Sequence, residues 1–152
     1  MTRRRAAGFT LVELLVVVAV IGLATTAVVL TVPDGEATLH RQADAFGLHL
    51  RRAQEEAIIG GRSIQVGADA AGYRFSRRDF GHWQALDAAP FTPRRWADGV
   101  QPLLPGRQPR LGFRFDPTGA AEPQQLLLAR GEARVRISVD PSGQVRIGGP
   151  RD

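Results

Sequence analysis

The chain has 152 residues, 20 of them basic and 15 acidic, and no cysteine. That length fits one domain behind a membrane helix, with about 120 residues left for a compact part, and the missing thiols exclude disulfides, cysteine nucleophiles and thiolate metal sites. Every basic residue is Arg and three lie in the first five positions, so the charge of +5 is a weak sign of an anionic partner.

Arg3, Arg4 and Arg5 precede an apolar run from Phe9 to Val32. Its 24 residues would reach about 36 Å as a helix, at about 1.5 Å per residue, enough for a hydrocarbon layer of about 30 Å. The first charge past the run is Asp34, so the positive flank sets the N-terminus in the cytoplasm and residues beyond about 33 outside. A cleaved secretory signal has an apolar core of about 7–15 residues before a small-residue cut site. Here Val28-Val29-Leu30 continue past the small residues at 24–27.

Within the run stands a single acid, Glu13. A charge in such a segment costs on the order of 2.5–3.5 kcal/mol when central, so it calls for a neutralising partner. The competing reading lets Glu13, one turn inside the segment, snorkel to the interface.

The stretch Gly8-Phe9-Thr10-Leu11-Val12-Glu13-Leu14-Leu15-Val16 resembles the class III signal of type IV pilins and type II secretion pseudopilins. The resemblance implies that a prepilin peptidase cuts after Gly8, that the new N-terminal Phe9 is methylated, and that the apolar helix is retained. Removing residues 1–8 places an ammonium on Phe9, four positions before Glu13 and on the same helix face. The resemblance further implies that Glu13 meets the amine of a neighbouring subunit during assembly, which neutralises two charges that are each costly in lipid.

Pro33-Asp34-Gly35 should kink or interrupt the helix. An apolar stripe then resumes at Leu39, Ala43, Phe46, Leu50, Ala53 and Ala57, whose intervals of three and four predict an amphipathic helix. Arg41, Gln42, Asp44, Arg51, Arg52 and Glu55 fall on its other side, and Gly60-Gly61 ends it. The mixed charges point to a helix packed on its own domain and not lying in a lipid surface.

From Ile64 the pattern shortens to strands over 63–66, 73–76, 111–115, 125–128, 134–139 and 144–147. Asp116-Pro117-Thr118-Gly119 and Asp140-Pro141-Ser142-Gly143 each place Asp, Pro and Gly at positions i, i+1 and i+3 of a type I turn. Both close alternating runs, so both are expected to connect antiparallel strands. Between Arg77 and Pro109 the chain is rich in Pro, Gly and Arg with little periodicity, and Trp83, Phe91 and Trp96 lie there. Trp83 and Trp96 either pin this segment to the core or form a partner contact, and anchoring is the preferred reading.

No catalytic constellation is present: there is no Gly-x-Ser-x-Gly elbow and no phosphate-cradling loop, and His40, His49 and His82 fall in no ligand spacing. The chain is read as a non-enzyme with no cofactor and no metal. Beyond the leader, Leu50-Arg51-Arg52-Ala53-Gln54-Glu55-Glu56-Ala57, Gly61-Arg62, Gly72-Tyr73-Arg74-Phe75 and Trp83 are similar to the H-type minor pseudopilins of type II secretion. So are Phe115 to Gly119 and Arg136 to Gly143.

This similarity implies an α+β fold of pseudopilin type. A leader at 1–8 precedes a transmembrane helix at 9–32, an amphipathic helix at 33–60 and a periplasmic β-rich domain of two antiparallel sheets at 61–152. It also implies a single-pass protein of the bacterial inner membrane, placed near the tip of the secretion pseudopilus. Its partners would be prepilin peptidase, other minor and major pseudopilins and the inner-membrane secretion platform. The rival reading is a minor type IV pilin that binds DNA for uptake, which would need Arg134, Arg136, Arg146 and Arg151 to form one basic patch. That relative carries a C-terminal Gly-Arg-x-Arg pattern, whereas this chain reads Gly143-Gln144-Val145-Arg146, and the balance is set against nucleic acid.

Overall fold

The computed structural model describes residues 10–31, 35–106 and 109–149, with only the backbone of 24–31. The chain divides into two units, one ending at Asp34 and one beginning at Gly35.

The first unit holds helix α1, Leu11–Thr31. Thr10 caps it: its Oγ1 accepts the Glu13 backbone N–H at 3.3 Å, and its carbonyl accepts the Leu14 N–H at 3.2 Å. Glu13 thus stands at the third helical position, where the exposed amides of the first turn favour a carboxylate. The large apolar side chains from Leu11 to Leu23 are all exposed on this unit. Among the described residues no helix is long and apolar enough to cross a membrane. Gly8, Phe9, Val32, Pro33 and Asp34, for which cleavage, methylation and a helix break were expected, lie outside the described residues.

The second unit opens with α2, Gly35–Gly60. All six residues of the expected stripe, Leu39, Ala43, Phe46, Leu50, Ala53 and Ala57, are fully buried. The helix ends in a Schellman arrangement: Gly61 takes a φ of 59°, Arg62 N–H donates to the Ala57 carbonyl at 3.2 Å, and Gly61 N–H donates to Ile58 at 3.4 Å. On the polar side the structure changes one assignment, because Gln42 Oε1 accepts the Ala97 N–H at 2.8 Å and so pins the loop instead of facing water.

Among the described residues nine strands follow in two antiparallel sheets. The first has the order β3-β2-β1-β6, formed by β1 Ile64–Asp69, β2 Gly72–Asp79, β3 His82–Leu86 and β6 Arg110–Phe115; the short β4, Arg94–Arg95, pairs with the start of β2. The second has the order β5-β7-β8-β9, from β5 Gln101–Leu103, β7 Gln124–Arg130, β8 Ala133–Val139 and β9 Val145–Gly148. Helix α2 packs on β1 and β6 of one sheet and on β7, β8 and β9 of the other, which makes it the shared wall of one core.

Phe46 is the centre of that core. Its ring meets Tyr73, Trp96 and Phe113 edge-on at centroid distances of 4.8, 5.5 and 5.6 Å, a geometry aromatic quadrupoles favour. Strands β3, β4 and β5 fill the stretch the sequence left unassigned. Their residues alternate weakly, and their order comes from pairing with β2 and β7.

The two Asp-Pro turns form as expected, each closed by an N–H from its Gly to its Asp carbonyl at 2.9 Å. Only the second joins paired strands, β8 and β9. The first does not, since β6 and β7 lie in different sheets; after the single bridge Phe115↔Ala121 the chain crosses to the other sheet. The turn chemistry fixes the reversal but not the destination.

Candidate functional site

The two turns sit side by side, because Ala121 N–H donates to the Pro141 carbonyl at 3.1 Å and Gln54 of α2 spans both. Its Nε2 donates to Gly119 O at 2.7 Å and to Ser142 O at 3.2 Å. Within each turn one carboxylate oxygen organises the loop. Asp116 accepts from Thr118 N and Oγ1 at 2.8 and 2.6 Å, and Asp140 from Ser142 N and Oγ at 2.9 and 2.6 Å. These hydrogen bonds, the Thr118 and Ser142 hydroxyls first, hold both carboxyls below the usual Asp range. This is a structural clamp, since each carboxylate is bonded within its own turn and Gln54 ties the two turns together.

Of the two tryptophans, Trp96 is an anchor. It is buried, and its Nε1 donates to the Asp69 carbonyl at 2.8 Å. That position corrects the alternative that made Trp96 a partner contact, since its ring is spent on Phe46 and Tyr73. Trp83 is placed differently: it is 39% exposed, opposite Arg78 on the outer side of the first sheet. It borders an open depression of about 360 Å³, lined also by Gln65, Gly67, Arg74, Ser76 and Arg110. Arg74 and Arg110 share one carboxylate, Asp69, at 3.2 and 3.7 Å, so this surface keeps a positive excess.

The structure also brings together three of the four C-terminal arginines. Arg134 and Arg136 alternate with the buried Val135, Ile137 and Val139 on β8, and Arg146 stands beside them opposite Ser138. Arg151 lies outside the described residues. Arg134 Nη1 donates to Gly131 O at 2.6 Å and Arg146 Nη2 to Gln144 Oε1 at 2.7 Å, so these guanidiniums are turned toward the chain itself.

Two groups escaped the sequence reading. Asp79, at the end of β2, is 6% exposed and takes Arg62 Nη1 at 2.7 Å and Arg77 Nε at 3.0 Å. Burial alone would raise its pKa, but the two guanidiniums outweigh it and the carboxyl stays below its ordinary value. Next to it Phe80 is 98% exposed with a φ of 47°. The signal was the Phe-Gly pair between two short alternating runs, which reads weakly as a hairpin because Asn-Gly is the favoured pair there. Among the described residues no group of three or more His, Asp or Glu side chains is placed to hold a metal.

With this geometry in view, the comparisons are specific. The model of the family described as type II transport protein GspH matches residues 42–143, and that of the prokaryotic N-terminal methylation motif matches residues 3–29. A type II secretion system protein H from Aeromonas hydrophila is 38% identical over 90 residues, covering 57% of this chain and 49% of that protein. The matched stretch thus spans about half the length of that curated relative.

Among solved structures, the minor pseudopilin EpsH from the type II secretion system of Vibrio cholerae superposes with a TM-score of 0.63 at 18% identity, covering 76% of this chain and 96% of that one. The type IV minor pilin FimU of Pseudomonas aeruginosa gives 0.58 at 16% identity, covering 75% and 90%. At such identities these two likenesses establish a shared fold, a helix followed by antiparallel sheets. The family match covers most of the described β-rich unit together with most of α2, and on that ground the chain belongs to the type II transport protein GspH family.

Proposed function

We propose that this chain is a minor pseudopilin, a structural and non-enzymatic subunit of the type II secretion pseudopilus that supports export of folded proteins, seated near the tip. The observation that carries the reading is the pairing, on one chain, of an N-terminal methylation motif over residues 3–29 with a GspH-family match over 42–143. In this reading prepilin peptidase cuts after Gly8, Phe9 becomes the methylated N-terminus, and residues 9–32 remain in the inner membrane as a single span with the β-rich unit in the periplasm. The exposed apolar surface of α1 supports this, because it requires lipid or neighbouring helices to cover it. Glu13 then pairs with the amine of the next subunit, and the Thr10 cap fixes the turn from which it projects. Other minor and major pseudopilins and the inner-membrane platform are its partners, and Trp83, on the outer side of the first sheet, is an exposed aromatic residue open to them.

Mass spectrometry of the protein from its native membrane should find a mature chain starting at methylated Phe9. An intact Met1 terminus would falsify the reading. Glu13→Ala should still insert but fail to restore secretion to a deletion strain. Normal secretion with that variant would remove Glu13 from assembly.

A second reading, a DNA-binding minor pilin, draws on the shared face of Arg134, Arg136 and Arg146. It requires the purified protein to shift duplex DNA in a salt-dependent way.

A further inference from the structure

The tip of the β2–β3 hairpin breaks a local rule without any gain inside the chain. Asp79 pairs with His82, so Phe80 and Gly81 form a two-residue loop, with φ angles of 47° and 86°. These are the angles of a type I′ turn, in which both central residues take positive φ and Asn-Gly is favoured. A bulky side chain in this region is a steric outlier. The Phe80 ring recovers nothing from the core, being 98% exposed. The loop is held all the same: Asp79 at its base is buried and gripped by Arg62 from beyond α2 and by Arg77 from β2. A strained aromatic on a fixed support is the arrangement expected where a surrounding demand other than folding selects the residue.

Building on the proposed role as an assembling subunit, we infer that Phe80 is the docking knob of this chain, inserted into an apolar socket rimmed by carboxylates on a neighbouring pilin-like subunit. The carboxylate rim follows from charge. Arg74, Arg77 and Arg78 of the hairpin outnumber the carboxylates they meet, since Arg74 pairs with Asp69, Arg77 with Asp79, and Arg78 lies exposed. Arg62 adds a further cation at the hairpin base, and exposed Arg78 flanks the tip and the outward-facing Trp83. A protein socket suits this geometry better than a bilayer, because a lipid surface is held by a broad apolar face, whereas a single preorganised ring at the centre of a polar rim is the pattern of an interface anchor.

The test uses the full-length protein in cells that carry the whole secretion assembly. With a photoreactive phenylalanine analogue at position 80, irradiation should link the chain to another pilin-like subunit, and the linked peptide, identified by mass spectrometry, should contain Asp or Glu. Phe80→Asn suits the positive φ and deletes the ring, so its melting temperature should equal or exceed that of the parent while co-purification with the linked subunit falls about tenfold or more. Arg78→Glu should weaken the same association in part. A Phe80→Asn protein that associates normally, or crosslinks found only to lipid or to a second copy of this chain, would overturn the inference. If the chain is correctly processed at Phe9 and enters the assembly, such a result removes the hairpin contact alone; if it never enters, the subunit reading itself falls.

Discussion

Helices α1 and α2 are of similar length, 21 and 26 residues, and solve opposite problems. In α2 apolar residues recur every three or four positions, and every one of the stripe finds a protein neighbour. Along α1 they occupy all sides with Glu13 as the one charge, and the large side chains through Leu23 find none on their own unit. A stripe specifies an internal core, whereas an apolar surface all round specifies an external solvent or other subunits.

The sharpest way to break that comparison is a matched pair of truncations. Phe46→Ala removes the ring that joins Tyr73, Trp96 and Phe113, and should cost about 3–5 kcal/mol, enough to abolish or greatly lower cooperative melting of the β-rich unit. Leu15→Ala on α1 should leave that melting within about 0.5 kcal/mol of the parent. Tryptophan fluorescence of the detergent-solubilised chain reads this unit alone, because Trp83 and Trp96 are the only tryptophans. Equal losses from both substitutions would mean that α1 contributes to the same core.

The contrast between the helices was legible because hydrophobic period is a direct consequence of helix geometry. The central strands were legible for a similar reason: β8 reads Val135-Arg136-Ile137-Ser138-Val139 with every second residue buried. Strand β3 carries no such pattern, since His82 to Ala85 are exposed on both faces, and β5 holds Pro102 in three residues. Their existence depends on partners distant in sequence. Trp96 could be suspected as an anchor, but its acceptor, the Asp69 carbonyl, is a backbone group that no side-chain motif announces. The site at Phe80 was hidden because it departs from local preference, and a pattern reading follows preference.

A middle-sized effect separates turn chemistry from turn placement. Gly143 has a φ of 80°, and a Cβ there would run into Gln54 Nε2 and the Gly119 carbonyl, so both the backbone and the packing of the twin turns exclude a side chain. Gly143→Ala should destabilise the unit by more than about 1 kcal/mol. Gly131, at the β7–β8 turn, also has positive φ, at 55°, but open space around it. Gly131→Ala should therefore cost less, from backbone strain alone. If the two substitutions cost the same in chemical denaturation, the contact between the twin turns adds nothing.

The smallest expected effect is a pH dependence lodged in the same core wall. His49 Nδ1 lies 2.8 Å from the Ala45 carbonyl and 3.0 Å from Tyr73 Oη; a carbonyl only accepts, so the neutral ring carries its proton on Nδ1 and donates it to Ala45. Burial, with Arg94 and Arg52 nearby, lowers its pKa below 6.5 despite that carbonyl. Below pH 6.5 the unfolded chain therefore takes up a proton that the folded chain refuses. The stability His49 lends is complete above 6.5 and is lost as pH falls through the lowered folded value. Asp79, Asp116 and Asp140 act in the same direction but lower, since their folded values lie under 3.8 and their support is lost only on stronger acidification. The melting temperature of the parent should decline in two steps, one beginning near pH 6.5 and one below about pH 4. His49→Gln should remove the first step and keep the second; a first step that persists in this variant would assign it to another group.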